Sequence, residues 1–160
     1  MWGGRSFLSL YRRLKFKEDE EMDQEKRYTY EELLGIVAEL RSEHGCPWDK
    51  KQTHESLIKC LREESEEVVQ AIENKDDENL CEELGDVMLQ VLMHSQIAAE
   101  ENRFTIEDVV NMLAHKLVRR HPHVFGDQKV LTAEEGLASW EAVKRQEKEE
   151  RARRRAKESC

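Results

Sequence analysis

Glu63-Glu64-x-x-Glu67 and Glu83-x-x-Asp86 repeat one spacing of acidic side chains within a short stretch of chain. Residues three apart share a helical face, so Glu64 with Glu67 and Glu83 with Asp86 would each project as a pair. Between them, Asn74-Lys75-Asp76-Asp77 reads as a tight polar turn. Position 75 is the midpoint of 64 and 86 and also of 67 and 83. A chain folding back there brings both pairs to one height on antiparallel neighbours. Four carboxylates so placed repel strongly unless a cation lies among them. Oxygen-only donors select a hard ion, Mg²⁺ or Mn²⁺, over zinc. The alternative is a solvated acidic face, the ordinary reading of a lone Glu-x-x-Glu. A di-iron bundle is excluded, because none of the six histidines follows Glu or Asp by three residues. No EF-hand loop is present either.

Such a metal works with a basic element that meets an anionic substrate, and Lys116-x-x-Arg119-Arg120-His121 is the candidate. Lys116 and Arg120 share a face at four-residue spacing. Arginine would grip phosphate oxygens as a fork, lysine as a point charge. The helix macrodipole alone also favours cations at a carboxyl end, so spacing leaves both readings open. Trp48 offers a ring for stacking on a base, or a plug for one end of the bundle. Trp140 reads as core. His54, His121 and His123 read as structural or capping residues, with phosphate contact as the alternative.

Five helices are predicted to carry these groups. Thr29 with Glu32 forms a capping box ahead of Leu33, Ile36, Val37 and Leu40, and Gly45 closes that segment before a loop at Cys46-Pro47-Trp48-Asp49. The second helix is expected from about Thr53 to Asn74, with Leu57, Leu61, Val68 and Ile72 inward. The third runs to about Glu101, with Leu80, Leu84, Val87, Val91 and Ala98 inward. Thr105 with Asp108 caps a fourth, which Pro122 stops, leaving His123–Asp127 as a loop. Thr132 with Glu135 opens a fifth through Leu137, Trp140 and Val143, and beyond Lys144 the apolar face gives out. Strand-like alternation is absent, so the fold class is an all-α bundle around a central antiparallel helix hairpin.

Only two prolines and seven glycines punctuate the 160 residues, too few for a sandwich of short strands. The length fits one domain, burying roughly 70% of the surface of its unfolded chain. Charged residues reach 38%, and no run approaches a membrane span of about 18 apolar residues. Residues 63–101 hold thirteen acids to one base, Lys75, or −12 within a net charge of −9, so the rest sums to +3. The acidity argues against duplex nucleic acid as a partner. Cys46, Cys60, Cys81 and Cys160 show no CxxC spacing, which fits free thiols in a cytoplasmic protein. Residues 1–27 read as a weakly ordered extension, in which Met22 marks a second candidate start, 28–145 as the domain and 146–160 as a charged helical or disordered tail.

Taken with Gln52-Thr53-His54-Glu55-Ser56-Leu57, Glu82-Glu83-Leu84-Gly85-Asp86, Lys116 through Gly126 and Trp140-Glu141-x-x-Lys144, these motifs strongly resemble the MazG nucleotide pyrophosphohydrolases over about residues 28–145. The resemblance implies an enzyme that splits nucleoside triphosphates between the α and β phosphates. It implies Mg²⁺, with Mn²⁺ as substitute, on Glu64, Glu67, Glu83 and Asp86. By the resemblance Lys116 and Arg120 would contact the triphosphate; the residues themselves add Arg119 beside them, Glu63 as a candidate general base and Trp48 as a base-stacking candidate. It also implies a homodimer or larger homo-oligomer in which helices pair across subunits. The rival expectation is a non-enzymatic helical module whose acidic face binds a basic partner.

Overall fold

A computed structural model describes residues 26–158. The expected extension lies almost wholly outside the described residues. Within them every regular element is a helix, without a strand, and the chain divides into two compact units at Arg103 and Phe104.

The first unit contains α1 (Tyr30–Leu40), α2 (Pro47–Lys51), α3 (Ile58–Asn74) and α4 (Asp77–Glu100). The predicted capping box opens α1: Thr29 Oγ1 accepts from the Glu32 amide at 3.2 Å, and Glu32 Oε2 accepts from the Thr29 amide at 2.8 Å. The chain then folds tightly back, with the Cys46 amide donating to the Leu40 carbonyl at 2.8 Å. A Cβ at position 45 would collide with the carbonyl oxygens of Glu39 and Leu40, which is why glycine stands there. The segment expected as a loop holds the short helix α2. Pro47 occupies its first position, where a fixed φ and a missing N–H cost nothing. The Arg41 guanidinium, 6% exposed, fastens the turn. It pairs with Glu100 at 2.8 Å and donates to the Asp49 and Gln52 carbonyls.

α3 starts at Ile58 and not at Thr53, because Thr53 and Ser56 exchange side-chain-to-amide hydrogen bonds at 2.9 and 3.2 Å that compete with helix. Its end is as predicted. Lys75 adopts the left-handed conformation (φ 56°, ψ 40°), and Asp76 caps α4 by accepting from the Asn79 amide at 3.1 Å. α3 and α4 pack along each other as a hairpin, and α1 packs on α4.

Among the described residues the buried apolar side chains are Val37, Leu57, Ala71, Leu92, Met93, Ile97 and Ala98. Each large apolar side chain buried there contributes about 1.5–3 kcal/mol. The inward ridge differs from expectation. Leu61, Ile72, Leu84 and Val91 are exposed, Ile72 by 56% and Leu84 by 51%, whereas Glu83, Gln90 and Ser95 are buried. α4 carries apolar side chains on two sides, and among the described residues it packs on α1 and α3.

The second unit contains α5 (Ile106–Arg120), α6 (Pro122–Phe125) and α7 (Ala133–Glu158). Thr105 and Asp108 form the predicted capping box of α5. Pro122 ends α5 and also opens the single turn α6 where a loop was expected. α7 packs on α5 and continues past Lys144 to Glu158. Glu147 is 8% exposed on a stretch whose sequence suggested a solvated surface.

Candidate active site

The hairpin brings three of the four predicted metal ligands together. One carboxylate oxygen from each of Glu64, Glu83 and Asp86 lies within 4.8 Å of the others. Glu64 and Asp86 are half-buried and Glu83 is buried. The fourth, Glu67, stands one turn along α3 from Glu64, near enough to push the carboxyls of both Glu64 and Glu83 upward. Desolvation pushes the Glu64 carboxyl above its ordinary range, and Asp86, Glu67 and Glu63 push it further. Desolvation does the same to Glu83, followed by Glu67, Asp86 and Glu64. Both shifts say that the ionised cluster is electrostatically underpaid by the protein alone. An all-oxygen donor set at this spacing fits a small hard dication contracting the cluster slightly, because Mg²⁺ takes oxygens at about 2.0–2.1 Å. Glu63 is not drawn in. It faces outward, 3.2 Å from Lys59.

In the second unit, Lys116 and Arg120 share one face of α5. Arg120 also has a partner that the sequence did not reveal. Glu147 Oε2 accepts from both Nε and a terminal amino group of Arg120, at 3.1 and 2.7 Å, while Oε1 accepts from Arg119 Nε at 2.6 Å. The Arg120 hydrogen bonds, and then Arg119, hold the Glu147 carboxyl down to about 2. The Arg120 guanidinium lies 5.3 Å from the Trp140 ring centre and Lys144 Nζ lies 4.7 Å from it. Trp140 is thus a half-buried platform for two cations and not core. The signal for Glu147 was its register: 140, 144 and 147 fall on one face of α7.

Trp48, considered as a plug, is 60% exposed on α2. His121 Nδ1 lies 2.6 Å from the Leu117 carbonyl, a capping contact. His123, Val130, Leu131, Leu137 and Trp140 line an open cleft of about 620 Å³, a feature the motifs did not indicate. His54 is committed elsewhere, against His94 and Arg103 in the first unit.

Residues 52–125 match the MazG nucleotide pyrophosphohydrolase domain. The chain is 54% identical over 119 residues to the nucleoside triphosphate pyrophosphohydrolase/pyrophosphatase MazG of Thermotoga maritima, covering 74% of this chain and 45% of that protein. It is 43% identical over 125 residues to the nucleoside triphosphate pyrophosphohydrolase of Escherichia coli K12, covering 78% and 48%. The chain therefore spans about half the length of these curated relatives. The crystal structure of a mazG-related protein from Thermotoga maritima superposes with a TM-score of 0.59 at 32% identity, over 71% of this chain and 98% of that one. Paired carboxylates on a helix hairpin, matching sequence and shared fold together place this chain in the MazG nucleotide pyrophosphohydrolase family.

Proposed function

We propose that the chain hydrolyses nucleoside or deoxynucleoside triphosphates to the monophosphate and pyrophosphate in a Mg²⁺-dependent reaction, with Mn²⁺ as substitute, serving housekeeping removal of non-canonical nucleotides. The observation that carries this reading is the convergence of Glu64, Glu83 and Asp86. With Glu67 these residues would hold the cation. When bound, Mg²⁺ supplies charge neutralisation on the phosphates and acidifies water.

The chain's own groups do the rest. Lys116 and Arg120 would bind triphosphate oxygens and stabilise the charge that grows on departing pyrophosphate, with Arg119 beside them. A water oxygen bonds to phosphorus as the α–β anhydride bond breaks, and its proton passes to a carboxylate outside the metal set. Glu63, whose described partner is the exposed Lys59, is that candidate. Trp48 and the cleft beside Trp140 are the two candidate seats for the base.

We read the exposed Val69, Ile72, Leu84 and Met88 as a face that a second copy covers, so the working unit is a homodimer or larger. None of the helices searched among the described residues is long and apolar enough to cross a membrane. The free thiols Cys46, Cys60 and Cys81 support a cytoplasmic setting. A panel of canonical and altered triphosphates, assayed for both products with and without Mg²⁺, tests the activity. Monophosphate and pyrophosphate in equal amounts are expected only with the metal, and salt-sensitive binding of a basic protein without turnover would favour the non-enzymatic reading.

A further inference from the structure

We infer that Glu147 is the positioning residue for triphosphate binding: it turns Arg120 so that the far edge of the guanidinium faces the anion. The inference rests on the proposed reading of Arg120 as a phosphate contact.

A guanidinium has five N–H donors in fixed directions. Glu147 Oε2 takes two of them, from Nε and one terminal amino group, along one edge of Arg120. The end of the fork keeps two parallel donors, the geometry that suits a phosphate. The Trp140 ring, 5.3 Å away, restricts the guanidinium from a second direction. Glu147 Oε1 meanwhile holds Arg119 by Nε alone, at 2.6 Å, leaving that side chain 55% exposed. Adjacent arginines would otherwise repel and splay. One buried carboxylate therefore holds two cations together and still leaves the cluster positive, with Lys144 over the same ring and Arg151 at 3.7 Å from Glu147. Glu147 lies beyond the segment matching the family domain, 52–125.

The decisive probe is inorganic tripolyphosphate, titrated calorimetrically into the full-length chain, beside kcat and KM for a hydrolysed triphosphate. Glu147→Gln should weaken tripolyphosphate binding and raise KM by about tenfold, with kcat within about twofold, the size expected for losing a charged hydrogen-bond partner. A purely structural role would instead lower kcat through a smaller folded fraction and leave KM alone. In an Arg120→Ala background the same substitution should cause a much smaller further loss, the part that runs through Arg119. Unchanged or tighter binding by Glu147→Gln, an additive loss in the double variant, or a parent chain that binds no tripolyphosphate would overturn the inference. Should Glu147→Gln not fold, Glu147→Asp keeps the charge but falls one methylene short. It should bind about threefold more weakly, and parental affinity would overturn the inference. A parent that binds tripolyphosphate but releases no pyrophosphate from any triphosphate refutes the proposed activity and leaves the binding cycle to decide the role of Glu147.

Discussion

The Nδ1 atoms of His54 and His94 lie 2.7 Å apart across rings parallel to within 3°. A hydrogen bond between two imidazole nitrogens needs one to donate and the other to accept, so both rings cannot be imidazolium. Arg103 donates to His54 Nε2, which leaves the His54 Nδ1 proton directed at His94. Burial, and then His54, hold the His94 pKa below its ordinary 6.5.

A pH effect with a definite sign follows. Between the lowered native pKa and 6.5 the unfolded chain binds more protons than the folded one. Stability is therefore full above about pH 6.5 and declines as the pH falls through the lowered native value. Thermal melts from pH 7.5 to 5.5 should show this decline in the parent and a flatter profile in His94→Asn. Equal slopes would contradict it.

The carboxylate cluster behaves in the opposite sense. Glu64 and Glu83 have raised native values, so without metal they cost stability as the pH rises through and above 4.5. Mg²⁺ that binds only the folded cluster should raise the Tm at pH 7, by the equivalent of about 2.7 kcal/mol at a hundredfold excess over Kd. Glu83→Gln should melt no lower than the parent without Mg²⁺ and should lose most of the Mg²⁺ response. A parent melt indifferent to millimolar Mg²⁺ would refute the site.

The legible parts of this chain were those with short-range signatures. Thr29 with Glu32 and Thr105 with Asp108 marked two helix starts, and the symmetry of both acid pairs about Lys75 located the turn. The segments expected as loops at Cys46–Asp49 and His123–Asp127 hold one-turn helices, which have too few residues to show a period. The inward ridge of the hairpin is not legible in the sequence for another reason. Apolar periodicity does not say which side of a helix its neighbours will cover, so sequence alone does not distinguish Ile72 on α3 and Leu84 on α4 from core. Glu147 is not legible in the sequence, because a buried acid among charged neighbours has the same local pattern as a solvated one, and its partners Arg119 and Arg120 lie far away in the chain.

Ile72 and Leu84 give a test of association. Ile72→Glu or Leu84→Glu places charge on the exposed apolar face and should convert an oligomer into monomer, as read by light scattering across a concentration series, with a lower Tm. A parent that is monomeric at tens of micromolar would contradict the oligomeric reading.

Arg41 should matter for folding alone. Its guanidinium is buried against Glu100 and two carbonyls at the turn after α1. Arg41→Ala leaves those acceptors without a donor and should cost about 2–3 kcal/mol in denaturant unfolding. Residual activity per folded molecule should stay near that of the parent.

The most direct test compares the parent with Glu83→Gln, both shown to be helical by circular dichroism, for monophosphate and pyrophosphate release from a triphosphate panel in Mg²⁺. The expected result is equimolar products from the parent, none without metal, and at least a hundredfold lower rate from the variant, in line with the loss of a key electrostatic group. Equal turnover by parent and variant, or release of orthophosphate in place of pyrophosphate, would contradict a metal-assisted pyrophosphohydrolase built on Glu64, Glu83 and Asp86.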